Sequence, residues 1–225
     1  MEPTAWPGVF REGRELYTRN ARPGERVYGE ELRRSGEIEY RQWDPFRSKL
    51  AAFLRKGAPP DLLTGVRRIL YLGAAHGTTV SHLAELDPGG TVFAVEKSPA
   101  SFAPLLALAR RRENLLPILA DAQLPERYAA DVGLVDLVYQ DVAQRNQVGI
   151  FVENARTALG PTGTGVLMLK VRSVTQRRPV PAVVREARAE LHRAGFSVRA
   201  EAELAPFSKE HVALVLAPPP PSTHR

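Results

Sequence analysis

The chain has 225 residues, of which 44% are hydrophobic and 25% charged, with a formal net charge of +6. That is the composition of a soluble globular protein long enough to bury a core, and the absence of cysteine excludes disulfides and thiolate metal sites and agrees with a cytoplasmic setting. No apolar run reaches the ~18 residues of a membrane span, and the opening MEPTAWPGVF lacks the basic and apolar regions of a signal peptide.

Residues 9–45 are polar, with short aromatic or β-branched pieces broken by Gly, Pro and Asn. That pattern predicts small antiparallel strands and hairpins, too meagre to fold alone. FRSKLAAFLRKG then places apolar residues at 46, 50, 53 and 54, a helical stripe stopped at Gly57. From there the pattern alternates. RRILYLG reads as a strand, TTVSHLAEL as a helix and GTVFAVEKS as a strand ending in an acid. FAPLLALARRR is a helix, NLLPILADA and LVDLVYQDVA are strands, and QVGIFVENARTAL is a helix. GTGVLMLKVRS is the next strand, VPAVVREARAELHRAGF a long helix, and SVRAEAEL and HVALVLA close the chain as strands. With no helix between them, the last two should pair antiparallel at a sheet edge.

The expected fold is therefore α/β, a Rossmann-like doubly wound sheet with an antiparallel last strand and right-handed crossovers, plus a small N-terminal β domain. The expected divisions are 1–45 for the small domain, 46–217 for the α/β domain, and 218–225 for a disordered Pro-rich tail.

In such a sheet ligands bind outside the carboxyl ends of the strands. The first α/β strand runs into GAAHGTT, whose Gly73 and Gly77 are spaced G-x-x-x-G rather than the G-x-G-x-x-G of a dinucleotide fold. Thr78 and Thr79 either cap the next helix or present its N–H groups to a carboxylate. His76 reads as a loop histidine. Glu96, about 20 residues on, stands where an acid accepts ribose hydroxyls, and Asp121 stands where a carboxylate can accept the amino group of a purine. The later strands end in Asp141 with Gln144, and in Lys170. An adenosine-containing cofactor that carries a carboxylate fits this set, and S-adenosylmethionine fits it better than a dinucleotide. Of 31 cationic residues only five are lysine, at 49, 56, 97, 170 and 209. These matter because arginine cannot give up its proton.

Two blocks go beyond a generic fold. EYRQWDPFRSKLAAFL (39–54) and YLGAAHGTTVSHL (71–83) resemble the fibrillarin family's E-Y-R-x-W-x-P-x-R-S-K-L-A and Y-L-G-A-A-S-G-T-T-V-S-H blocks. The likeness continues through RPGERVYGE, RENLLPILADAQLPERY, VDLVYQDVAQRNQ and LKVRS, in order along nearly the whole chain. The glycine–arginine arm of the eukaryotic form is absent, so the resemblance is to the short archaeal type. His76 stands where a serine is usual, and Glu210-His211 where Asp-His is expected.

The resemblance implies an S-adenosylmethionine-dependent methyltransferase acting on ribose 2′-hydroxyls of rRNA, with tRNA as a further substrate, directed by box C/D guide RNA. It implies that Gly73, Ala74 and Gly77, Thr78 and Thr79, Glu96 and Lys97, Asp121 and Ala122, and Asp141, Val142, Ala143 and Gln144 line the cofactor. It implies a catalytic set of Lys49, Asp141, Lys170 and His211, no metal, and no membrane association. Its partners would be the guide and target RNA, a scaffold protein with a Nop domain, and a kink-turn-binding ribosomal-type protein on the guide. A 2′-hydroxyl must lose its proton as it attacks a sulfonium methyl, and a lysine serves when nearby cations and desolvation lower its pKa. Lys170, at the end of a buried strand, is the expected base, with Lys49 and Asp141 orienting it and the hydroxyl. Arg41, Arg47, Arg172, Arg177 and Arg178 form the expected RNA-facing cations. The alternative is a non-catalytic RNA-binding assembly factor that keeps the methyltransferase fold. A methyltransferase for small molecules or protein is a further rival.

Overall fold

The structure is a computed structural model that describes residues 1–174 and 178–220. Two sheets organise it. The N-terminal one has five strands: β1 (Glu2–Pro3), β2 (Val9–Glu12), β3 (Glu15–Arg19), β4 (Leu32–Ser35) and β5 (Ile38–Gln42), in the order β1-β2-β3-β5-β4. All its pairings are antiparallel. Its two tight hairpins turn at Gly13 (φ 58°) and Gly36 (φ 61°), where positive φ lets a two-residue turn match the strand twist.

The chain then enters α1 (Lys49–Arg55), capped by Ser48, whose Oγ accepts the Ala51 N–H. The larger sheet holds β6 (Arg68–Leu72), β7 (Thr91–Glu96), β8 (Leu115–Leu119), β9 (Val135–Gln140), β10 (Leu159–Lys170), β11 (Ser197–Glu203) and β12 (His211–Ala217). Its order is β11-β12-β10-β9-β6-β7-β8. β6 to β10 are parallel, and β12 lies antiparallel between β10 and β11. The helices between strands are α2 (Thr78–Leu86), α3 (Pro99–Ala109), the short α4 (Ala129–Val132), α5 (Gln147–Ala158), α6 (Val171–Val174) and α7 (Val180–Arg193). This is the doubly wound sheet with an antiparallel last strand that the alternation predicts.

Several boundaries differ from the sequence reading. β10 stops at Lys170, and the segment expected to carry the strand on to Ser173 turns into the single helical turn α6. α3 begins at Pro99, not Phe102, because Ser98 caps it and proline suits the first helical position. β10 begins at Leu159 and pairs irregularly with β9 before its regular register starts at Thr164. α4 is a single turn without an amphipathic period to betray it. Of the Pro-rich tail, residues 218–220 carry no regular structure and 221–225 lie outside the described residues.

The apolar core lies on both faces of the larger sheet. One face packs Leu70, Leu72, Val138, Leu167, Leu169 and Leu214 under α5 and α7. The other packs Ile69, Tyr71, Leu137, Val166 and Met168 against α1 and α2, and it includes Val9, Leu16 and Trp43 from the N-terminal segment. The small sheet thus shares a core with α1 and α2.

A buried ionic set seals this joint. Arg41 of β5 is 0% exposed and donates to Glu30 (2.5 Å), Glu85 (2.7 Å) and Ser81 (3.1 Å), the last two on α2. Arg112 adds a second cation 3.5 Å from Glu85. Thr18 donates to Glu85 (2.6 Å), and His82 lies between the Thr18 and Tyr28 hydroxyls, at 2.7 and 2.8 Å, stacked on Trp43. Burial, with the nearby Arg41 and Arg112 guanidiniums, pushes the His82 pKa well down, so its ring stays neutral. Two cations then face two carboxylates.

Candidate functional site

β6 continues to β7 on one side and β9 to β10 on the other, so the crevice between the carboxyl ends of β6 and β9 is where the winding reverses. At that point Leu72 accepts the Asp141 N–H at 2.9 Å. Gly73 follows at φ 82°, and a Cβ there would stand 2.5 Å from the Asp141 carbonyl oxygen. Only glycine lets the two chain segments approach this closely. The Gly73 and Ala74 N–H groups both donate to Val95, and the Ala75 N–H (φ 47°) donates to Glu96 Oε2 at 2.9 Å. Gly77, at φ 88°, caps α2 without a side chain. Thr78 and Thr79 are therefore the first two residues of the helix rather than its caps. They leave its first-turn N–H groups without intrahelical partners at the positive end of its dipole.

A cleft of about 260 Å³ opens here, lined by Gly73, Glu96, Lys97, Ala122, Asp141 and residues 142–144. Ala75 and Ala120 also line it, and the sequence reading had neither. Ala74, Gly77, Thr78, Thr79 and Asp121 are not part of that lining. Ala74 is buried beneath the turn. Asp121 stands beside the cleft and accepts the Gln123 N–H at 3.0 Å. That bond, with Lys97 and the Gln144 amide, holds the Asp121 carboxyl below the usual range against burial. The Glu96 carboxylate is fixed from both sides, by the Ala75 N–H and by the Ser98 N–H at 2.7 Å. Each of its oxygens keeps a second lone pair for a ligand hydroxyl.

Four further residues converge from four elements. Lys49 is the first residue of α1, Asp141 follows β9, Lys170 ends β10, and His211 begins β12 as Lys170's cross-strand partner. Lys49 Nζ lies 2.7 Å from Asp141 Oδ2, the two side chains being 28% and 18% exposed. Burial pushes the Asp141 carboxyl up, while Lys49 and Lys170 pull it down. The Asp141 ion pair goes to Lys49. Among the described residues the Lys170 ammonium makes no hydrogen bond or ion pair. Its backbone is held instead: Gln147 accepts the Lys170 N–H at 2.8 Å and donates to its carbonyl at 3.0 Å. This clamp lies beyond Leu167, where the pairing with β9 ends. His211 lies 2.8 Å from Ser208 Oγ through Nδ1. Burial first, then the charges of Lys49 and Lys170, lower its pKa to about 3, so the ring is uncharged near neutrality.

A second, polar hollow of about 400 Å³, lined by Ala143, Lys170, Arg172, Ser173 and Glu210, shares Ala143 with the first. Asp141 thus faces one hollow and Lys170 its neighbour. Among the described residues no group of three or more His, Asp or Glu converges as a metal site, and no helix is long and apolar enough to cross a membrane.

The expected basic surface needs correction. Arg41 is buried in the ion pairs of the joint, since Glu30 and Glu85 compensate its charge there. Arg178 forms a two-bond pair with Glu186, both bonds 2.6 Å. Arg47 is exposed with its guanidinium over the Tyr28 ring, and Arg172 is exposed beside the second hollow. Arg177 lies outside the described residues. The sequence reading missed Ser48, which caps the helix that begins with Lys49, Gln147, which holds the Lys170 backbone, and Ser208, which meets the His211 ring. Ser48 and Gln147 sit inside the RSK and DVAQRNQ blocks, so the blocks carried the only signal for them.

The family model described as Fibrillarin matches residues 2–218. A fibrillarin-like rRNA/tRNA 2′-O-methyltransferase of Methanothermobacter thermautotrophicus is 40% identical over 209 residues, covering 93% of each chain. Among solved structures, Aeropyrum pernix fibrillarin in complex with natively bound S-adenosyl-L-methionine superposes with a TM-score of 0.87 at 37% identity, covering 96% of each chain. The chain of a fibrillarin/Nop5p complex gives a TM-score of 0.84 at 38% identity, covering 97% of this chain and all of that one.

Proposed function

The chain belongs to the fibrillarin family, and on that premise we propose that it is the catalytic subunit of a box C/D guide ribonucleoprotein, methylating ribose 2′-hydroxyls of rRNA and tRNA. The methyl donor is S-adenosylmethionine, the ligand of the Aeropyrum pernix relative. The cleft at the ends of β6 and β9 fits it. The close approach of Gly73 to Asp141 shapes a floor that a Cβ would fill. Glu96 offers two oriented acceptors for ribose hydroxyls, and Asp121, held ionised, offers one for an adenine amino group. The free N–H groups at the start of α2 suit a carboxylate. When bound, the cofactor supplies an electrophilic methyl on a sulfonium sulfur.

The observation that carries the reading is the meeting of Lys49 and Asp141 at 2.7 Å beside Lys170 and His211, between the cleft and the neighbouring polar hollow. Lys170, in its amine form, takes the 2′-hydroxyl proton as the ribose oxygen bonds to the methyl carbon and the carbon–sulfur bond breaks. The Lys49–Asp141 pair orients that hydroxyl. A positioned base contributes about 10²- to 10⁴-fold, and the in-line arrangement of oxygen, carbon and sulfur supplies much of the remainder.

The chain acts on RNA and assembles with a Nop-domain scaffold, as its relative does with Nop5p. Guide RNA, a kink-turn-binding protein bound to it, and a cytoplasmic setting complete the proposed assembly. Substrate choice then rests on guide–target pairing. Reconstituting the chain with scaffold, kink-turn protein and a box C/D guide, then mapping transferred methyl on a complementary RNA, tests this. A single guide-dependent 2′-O-methyl is expected. Methylated bases, or transfer indifferent to the guide, would contradict it.

A further inference from the structure

Ser48 stands directly before Lys49 and is 2% exposed. Its Oγ accepts the Ala51 N–H at 3.3 Å, which caps α1. The same oxygen accepts Trp43 Nε1 at 2.9 Å, and the Ser48 and Thr79 hydroxyls share a hydrogen bond at 3.0 Å. Thr79, 7% exposed, is the second residue of α2, immediately past the Gly73–Gly77 turn of the cofactor cleft. One buried oxygen therefore ties the helix that begins at the cofactor turn to the helix that begins with Lys49.

The tie has work to do. α1 is only seven residues long, too short to hold itself together in water. Its first residue is a cation at the positive end of the helix dipole, with no acid in the first turn. Both features loosen the start of α1 unless tertiary contacts hold it. The Thr79 hydroxyl faces Ser48 Oγ and the buried Tyr71 hydroxyl, so what this residue can offer the cleft is its backbone N–H.

We propose that the Thr79–Ser48 hydroxyl pair is a positioning device that locks Lys49 against Asp141 relative to the cofactor turn, without touching cofactor or RNA. The proposal rests on the reading of Lys49 as part of the transfer machinery. A displacement of the turn is carried through Thr79 and Ser48 to the ammonium that meets Asp141. Losing the link lets the lysine wander, and an error of about 1 Å in a reacting constellation costs up to roughly 100-fold in rate.

Two substitutions separate this from simple packing. Thr79→Val keeps the shape and removes the hydroxyl, whereas Thr79→Ser keeps the hydroxyl and removes a methyl. The readouts are single-turnover methyl transfer in the assembled complex with guide and target RNA, and S-adenosylmethionine affinity by calorimetry. Thr79→Val is expected to slow transfer about 10- to 100-fold with cofactor Kd within about twofold, and Thr79→Ser to restore most of the rate. Ser48→Ala and the Ser48→Ala/Thr79→Val double variant close the cycle, and the double variant should lose no more than the worse single one. Urea midpoints show which variants are folded. Equal rates for Thr79→Val and wild type, a Thr79→Ser variant as slow as Thr79→Val, or additive losses would each overturn the proposal. No transfer by the wild-type complex would instead refute the methyltransferase reading itself.

Discussion

Glu96 is held by two backbone N–H groups, one from the cofactor turn and one from the start of α3, so its carboxylate is preorganised before any ligand arrives. Glu96→Ala should remove both of the proposed ribose contacts. A charge-assisted hydrogen bond contributes about 1.5–3 kcal/mol, so S-adenosylmethionine should bind at least about tenfold more weakly, measured by calorimetry on the free chain. His211 makes the second residue-scale prediction. Its folded pKa of about 3 lies below its ordinary 6.5. Between those values the unfolded chain binds a proton that the folded chain refuses, so stability falls as pH drops from about 6.5 toward about 3. The slope from this group approaches about 1.4 kcal/mol per pH unit inside the window. His82, buried and neutral, acts in the same direction. Urea midpoints across pH should show a shallower acid limb for His211→Asn, and the methyl-transfer rate should show no inflection near pH 6.5 from His211. Such an inflection would mean that the ring is charged in the folded site.

At the scale of elements, the joint between the small sheet and α2 is an ionic set sealed from water. Replacing one member leaves the others buried and uncompensated, which costs about 3–5 kcal/mol. Arg41→Met should therefore lower the urea midpoint severely, since Glu30 and Glu85 lose their shared cation. Arg178→Ala, whose pair with Glu186 is open to solvent, should leave the midpoint nearly unchanged. This contrast also shows what the sequence could reveal. Apolar runs exposed the strands of the larger sheet, which is buried on both faces, and the helical stripe of FRSKLAAFLRKG exposed α1. Arg41 looked like a surface cation because nothing local distinguishes it. Its partners stand 11 and 44 residues away, and only the packing of β5 on α2 brings them together. The convergence of Lys49, Asp141, Lys170 and His211 was legible only through the family blocks and the rule that strand ends face one crevice. That Asp141 would pair with Lys49 was not legible, since a spacing of 92 residues carries no geometry.

For the whole molecule, the fold gathers four elements so that a cofactor cleft and a polar hollow meet at Ala143, with the lysine–aspartate cluster alongside. In the proposed assembly RNA specificity is left to the guide, and the chain keeps the chemistry. The central claim is that Lys170 is the base, and Lys170→Arg tests it most directly. Arginine keeps the charge and the backbone clamp by Gln147, and it cannot release its proton at accessible pH. The measurement is single-turnover methyl transfer in the reconstituted complex across pH, with a cofactor titration alongside. The account predicts an assembled complex with near-normal cofactor affinity and a rate lowered by about 10²- to 10⁴-fold. A near-wild-type rate would contradict it, and would leave Lys170 acting through charge alone.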